Sequence, residues 1–315
     1  MPPLYSVDFA GLSVVIRCDN REALNFLNFL FGDLHGPTRD PSPSSSLYAV
    51  DTAANTSTIL TISFNEGLSE GEEKYYTLTD SSGTLFTGSL SVQFAAVLFD
   101  QVIFHLLNHL KNGVALHSGA VVYQGKTILL PGQSGSGKST VSAWLTSEHS
   151  ACRCSYLTDE LVVLPENDSG SVIPFPRPLC IKAGATAAIR AIIPKNGEEH
   201  ILADEQGALV PHRLLNPDFN PDLNPELPFL VPPVSLILFP TYQTSSPLQV
   251  EKISAARTSA LLMTCDVNAR NLADHGFHQL VQLARSIPAY RIFYSSFTEF
   301  NELLPDLFAQ AGLST

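Results

Sequence analysis

The stretch Leu129–Leu145, LLPGQSGSGKSTVSAWL, runs from strand-like apolar residues through a glycine-rich turn into a helix-like segment. Gly132, Gly137, Lys138 and Ser139 complete the pattern G-x-x-x-x-G-K-[ST] in that setting. Gly132, Gly135 and Gly137 permit a loop whose backbone amides turn inward, and the helix behind it presents the positive end of its dipole, so the turn is expected to hold phosphate. The expected cradle is Gly132, Gln133, Ser134, Gly135, Ser136, Gly137, Lys138, Ser139 and Thr140, with Lys138 neutralising β/γ-phosphate charge and Ser139 ligating Mg2+. A plain glycine-rich turn is the competing reading. The complete pattern between a strand and a helix weighs against it.

Upstream, VALHSGAVVYQGKTILLPG (114–132) holds two β-rich runs around Gln124-Gly125, a pair suited to a hairpin because glycine tolerates positive φ. With those two residues as the turn, 123 pairs with 126 and the register runs on until 117 faces 132. His117 is thereby expected beside the first glycine of the loop, although a histidine within a sheet can also be a structural donor.

Further upstream, LYSVDFA, LSVVIRC, STILTISF, KYYTLT and TLFTGSL read as short strands and REALNFLNFLF as a helix. Together with a helix over 91–110, closed by Asn112-Gly113, they predict a small N-terminal α+β domain over residues 1–110. RDPSPSSS and SEGEEK read as exposed loops. Residues 111–315 form the second predicted domain. There SYLTDELVVL, SVIPF, VSLILF and AYRIFYS read as strands, and GATAAIRAII, AARTSALLM and FHQLVQLARSI as helices, with a last helix ending near Gln310. NPDFNPDLNPELPFLVPP, from Asn216, reads as an extended surface segment, because proline disfavours helix in the residue before it.

Composition narrows the partners. With 18 Lys+Arg against 30 Asp+Glu among 315 residues, the formal charge of -12 repels polyanions, so no nucleic-acid or anionic-membrane partner is expected and a nucleotide must be captured locally. The most apolar helical stretch, from Val92, is interrupted by Asp100, Gln101, His105, Asn108 and His109, which predicts a buried helix and no membrane insertion. The first thirty residues show no basic start followed by an apolar core, and five scattered cysteines favour reduced thiols, so a cytoplasmic protein is expected. Cys152 and Cys154 alternate as strand-packing residues would. His149 alone does not make them a metal site.

The combination of His117, then GQSGSGKST, then YLTDELVVL resembles the catalytic domain of HPr kinases, in particular the shorter HPr kinase-related branch that accompanies exosortase systems and lasso-peptide biosynthesis. The likeness is good over about 112–184 and includes PFPRPLCIK after the acidic pair. It implies an α/β fold, a P-loop HPr kinase-like catalytic domain behind the small N-terminal α+β domain, and a serine (or threonine) phosphotransferase using ATP and Mg2+. The acceptor implied is a peptide or small protein, which the N-terminal domain could recognise. By the same likeness His117 lies near the transferred phosphate, Asp159 acts as base toward the acceptor hydroxyl, Glu160 assists Mg2+ alongside Ser139 and Asp159, and Arg177 contacts phosphate or acceptor, a solvated surface cation being the other reading of Arg177. Such roles suit phosphoryl transfer, which needs charge neutralisation and alignment more than covalent help.

The likeness has limits. Gln133 stands where HPr kinases usually carry Asp, and Thr140 where they often carry Glu. No counterpart of their EIRGLG segment is present, so a kinase without the reverse phosphorylase activity is implied. The LSGGQ-like signature of transport ATPases is absent too. A small-molecule kinase on the same fold and a nucleotide-gated binding module remain the alternatives.

Overall fold

The computed structural model describes residues 3–34, 56–65, 75–166, 170–185, 193, 199–211, 214 and 231–313, with the side chains of 56–59 excepted. The predicted loops RDPSPSSS and SEGEEK, most of the predicted helix GATAAIRAII, and the Asn-Pro segment up to residue 230 lie outside them. The architecture is α/β, and the chain divides into two compact units: Met1–Leu110 with Leu202–Gln206, and Lys111–Ile201 with Gly207–Thr315.

The first unit is a five-stranded sheet in the order β1 (Leu4–Phe9), β2 (Leu12–Cys18), β3 (Thr56–Asn65), β4 (Tyr75–Asp80) and β5 (Gly83–Gly88), antiparallel except for the parallel β2–β3 pair. Asn20 starts α1 (Arg21–Phe31) by accepting from the amides of Glu22 and Ala23, and Ser91 starts α2 (Val92–His109) by accepting from Phe94, which satisfies amides that a helix start leaves open. Phe26 and Phe31 of α1 meet Phe94 and Phe99 of α2 edge to face at 6.0 and 5.1 Å. No helix among the described residues is long and apolar enough to cross a membrane.

The end of α2 differs from expectation. Leu110 is already extended, and Gly113 begins the next strand instead of capping the helix. Glycine is needed there for approach: a Cβ on Gly113 would lie 2.3 Å from the Leu164 carbonyl oxygen.

The second unit is built on β6 (Gly113–Tyr123), β7 (Lys126–Pro131), β8 (Ser155–Thr158), β9 (Leu161–Pro165), β10 (Ile173–Pro174), β14 (Val234–Tyr242), β15 (Gln249–Lys252) and β16 (Ala289–Tyr294). Their order is β10-β9-β6-β7-β14-β16-β15, with β8 also on β6. Gln124 (φ 46°) and Gly125 (φ 72°) turn β6 into β7, and the pairing runs from Tyr123↔Lys126 to Ser118↔Pro131, the register the hairpin predicts. β7, β14 and β16 run parallel. A separate pair joins β11 (Leu179–Lys182) to β13 (Gly207–Val210), and β12 (Leu202–Asp204) belongs to the first unit, where Asp204 accepts from the Val92 amide at 3.0 Å.

Alternation along the central strands explains why helices lie on both faces. Leu129, Ile237, Phe239 and Ala289 share one core with α4 (Ala255–Met263) and α5 (Phe277–Ser286). Ile128, Leu130, Leu236, Leu238 and Ile292 share the other with α3 (Lys138–Thr146) and α6 (Phe297–Gln310). Cys152 and Cys154 are buried in this second core but on the turn between α3 and β8, not on a strand. The expectation of strand packing is corrected: the apolar thiols fill space under α3. All five cysteines are free.

β6 is also pinned from a distant part of the chain. Asn268, 1% exposed, accepts from the Ala115 amide at 2.7 Å and donates to the Gly113 carbonyl at 3.0 Å. Asn268→Ala would orphan both buried backbone groups at roughly 1–3 kcal/mol each, so urea unfolding is expected to show a loss of that size. A loss within about 0.5 kcal/mol, as for an ordinary surface change, would mean these bonds do not anchor the strand.

Candidate active site

The glycine loop is fixed by backbone bonds at both ends. Gly132 donates to the His117 carbonyl at 3.4 Å, continuing the hairpin ladder by one step, and Tyr242 donates to the Ser136 carbonyl at 3.1 Å. Gly135 (φ 88°) and Gly137 (φ 95°) take left-handed conformations that other residues resist. Gly137 has a second reason to lack a side chain, since a Cβ there would lie 2.4 Å from the Tyr294 hydroxyl. Gly137 caps α3 without a side-chain bond, and the first intrahelical bond runs from Val141 to Gly137. The amides of Lys138, Ser139 and Thr140 therefore have no intrahelical acceptor, the arrangement that receives an anion.

Lys138 is 5% exposed, and its ammonium donates to the Gln133 carbonyl at 3.3 Å. Burial lowers its pKa, while Glu160 and Asp159 work against that fall by favouring the charged form. Lys182 donates to the Ser134 hydroxyl at 2.9 Å.

The acidic pair occupies a break in a strand. β8 and β9 both lie antiparallel on β6, and the chain bends at Asp159–Glu160 between them. Thr158 shapes the bend: its hydroxyl donates to the Phe175 carbonyl at 2.6 Å and accepts from the Glu160 amide at 3.3 Å. The Ser118 amide closes it on the Glu160 carbonyl at 3.0 Å. Because β6 carries the loop hairpin on one edge and the acids on the other, His117 stands between them. Its Nε2 lies 3.4 Å from Glu160 Oε1.

Arg177 completes the cluster. Its Nη2 donates to Glu160 Oε2 at 2.5 Å and its Nε lies 3.4 Å from Asp159 Oδ1. Burial pushes the Glu160 carboxyl up, but Arg177, His117 and Lys138 together outweigh it and hold the group below the usual carboxylate range. The Tyr156 hydroxyl sits 3.2 Å from Asp159 Oδ1 and 3.0 Å from the Arg177 carbonyl, its single proton serving one of the two. Asp159 is fully buried, and its Oδ2 has no hydrogen-bond partner. Glu160, by contrast, is 30% exposed. Glu160 is therefore partly open to solvent, whereas Asp159 is sealed from it.

His117, Lys138, Asp159, Glu160 and Arg177 thus meet in one place, the last of them from a segment for which solvation and ligand contact had read equally well. Tyr156, Tyr294 and Asn268 are additions. Tyr156 lies in the quoted SYLTDELVVL, three residues before Asp159, a spacing that plain strand alternation puts on opposite faces; the bend at Asp159–Glu160 brings them together. No local pattern points to Asn268. Among the described residues no three His, Cys, Asp or Glu side chains form a metal-binding group. The two carboxylates, joined through Arg177, are the oxygen donors the cluster offers, and Mg2+ characteristically takes one or two carboxylates plus waters and substrate phosphates. A buried, unpartnered Asp159 Oδ2 fits that chemistry.

Burial, then Lys138 and Arg177, lower the His117 pKa from its ordinary 6.5, against the opposing pull of Glu160 and Asp159. The folded imidazole stays neutral where the unfolded one takes a proton, so stability falls as pH drops below about 6.5 and continues to fall toward the folded value. His117→Gln removes that titration. The melting-temperature difference, wild type minus variant, is expected to be flat above about pH 7 and to decline below about pH 6.5. A difference constant from about pH 7.5 to 5.5 would contradict the lowered value.

No protein-family model and no curated protein matches this chain, so its functional reading stands on the arrangement of these side chains.

Proposed function

We propose that the second unit is a kinase with a P-loop, HPr kinase-like fold, transferring the γ-phosphoryl group of ATP to a serine or threonine hydroxyl of a peptide or small protein. The observation that carries this reading is the gathering of one imidazole, two carboxylates and two cations at the mouth of a glycine loop with open helix-start amides. A binding module needs the loop and Lys138. It has no use for an acid pair set against a neutral histidine.

In this reading the loop amides and Lys138 hold the β- and γ-phosphates, and Arg177 and His117 face the terminal one. The acceptor oxygen attacks the γ-phosphorus as the bond to the β–γ bridging oxygen breaks; the hydroxyl proton passes to a carboxylate and ADP departs. Ser139 and Asp159 would hold Mg2+, which would neutralise charge on the phosphate oxygens when bound. The burial of the two acids favours a division of labour opposite to the one implied by resemblance. Glu160, partly exposed and against His117, receives the proton, while Asp159, buried on Arg177 and Tyr156, would supply an oxygen to the metal. The peptide acceptor rests on the resemblance of His117, GQSGSGKST and PFPRPLCIK to HPr kinases.

The test is to incubate the protein with Mg–ATP and serine-containing peptides or metabolite pools and to follow phosphate by mass. Lys138→Ala is expected to lose both nucleotide affinity and transfer. Glu160→Gln should keep ATP affinity while turnover falls by roughly 10²- to 10⁴-fold, the usual contribution of a positioned base. Asp159→Asn should raise the Mg2+ concentration needed for half-maximal rate. Wild-type turnover in Glu160→Gln would return the base to Asp159, and full transfer by Lys138→Ala would remove the site. Phosphate on a metabolite with peptides untouched would replace the acceptor class.

A further inference from the structure

We propose that the ring of Tyr242 is the surface on which the base of the bound nucleotide stacks, an inference that rests on the nucleotide reading and extends it. Sheet order supplies the direction. β7 delivers the glycine loop, and its neighbour on one side, β6, brings His117 together with the acids on β6's far edge; on the other side lie β14 and then β16. A polyphosphate whose terminal phosphorus faces His117, Glu160 and Lys138 must send its ester end away from β6, toward the C-terminal ends of β14 and β16.

Two tyrosines stand at those ends, opposite each other in the ladder as Tyr242↔Tyr294. Tyr294 is buried at 2% exposure with its hydroxyl 3.5 Å from the Gly137 carbonyl, so it braces the loop. Tyr242 is 50% exposed. Its amide is bonded to the Ser136 carbonyl, and its ring meets Tyr294 edge to face, 5.7 Å between centroids and 68° between planes. A single exposed aromatic is ordinary on a protein surface. This one is tied through its own backbone to the phosphate loop and steadied by a buried ring, so its distance from any bound phosphate is set before a ligand arrives. Every nucleobase offers a π-face to such a platform, and stacking alone discriminates poorly among bases. The subsite therefore takes nucleotides with little distinction among their bases, adenine and guanine included.

Calorimetric titration with Mg–ATP, Mg–GTP and Mg–tripolyphosphate separates base from phosphate. Wild type is expected to bind both nucleotides within a few-fold of each other. Tyr242→Ala should weaken both by roughly 5- to 150-fold, the range for losing one base–aromatic stack, while leaving tripolyphosphate affinity unchanged. Tyr242→Phe should bind all three as wild type does. Unchanged nucleotide affinity in Tyr242→Ala, or an equal loss for nucleotide and tripolyphosphate, would overturn the stacking site while leaving the phosphate loop in place. Failure of wild type to bind any of the three would instead remove the nucleotide reading beneath it.

Discussion

The pairing of β6 on both of its edges is the constraint on which the candidate site depends. One edge holds β7 in a register set by the Gln124-Gly125 turn, and the other holds the broken β8–β9 segment. Side chains alternate along a strand, so a slip of one residue would carry His117 to the opposite face and away from Glu160. Asn268 and the bond from the His117 amide to the Cys265 carbonyl at 2.8 Å hold the strand further still. A histidine, a glycine loop and an acid pair that are separate in sequence become neighbours because one long strand is shared.

Charge balance is the second constraint. By formal charge the cluster sets two acids, Asp159 and Glu160, against two bases, Lys138 and Arg177, with His117 held below its ordinary pKa. A buried arginine between carboxylates is costly to desolvate, and removing one partner leaves the others uncompensated. The cluster therefore carries no net attraction for a polyanion, inside a chain of formal charge -12. A polyanion bound here would need its own counter-charge, which is why the unpartnered Asp159 Oδ2 matters to the proposed reading. The loop contributes dipoles rather than full charges: open amides at the start of α3 and left-handed glycines that leave room for them.

Much of the architecture was legible because it is local. The ends of α1, the C-terminal end of α6, the strands of the first unit, and the hairpin register all follow from periodicity, capping residues and turn chemistry over a few residues. The failures were also local readings, overruled by neighbours. Asn112-Gly113 looked like a helix stop, but Gly113 is required by the close approach of the Leu164 carbonyl. The alternation of Cys152 and Cys154 looked like a strand, whereas burial under α3 is served equally well by a turn. Proline-flanked Arg177 gave no sign of choosing carboxylates over solvent; its pairing depends on β9 and β10 folding back so that Phe175 and Thr158 meet.

The sequence by itself determined the glycine loop with its lysine, the histidine one hairpin away, and the presence of two adjacent acids, because each is written in residue types at short spacing. Only the tertiary structure decided that Arg177 joins both acids, that Asp159 is sealed while Glu160 is partly exposed, and that Tyr242 flanks the loop from the far side. Those outcomes depend on strand order and burial. Both arise from contacts between segments tens to more than a hundred residues apart, for which one chain's local pattern carries no record.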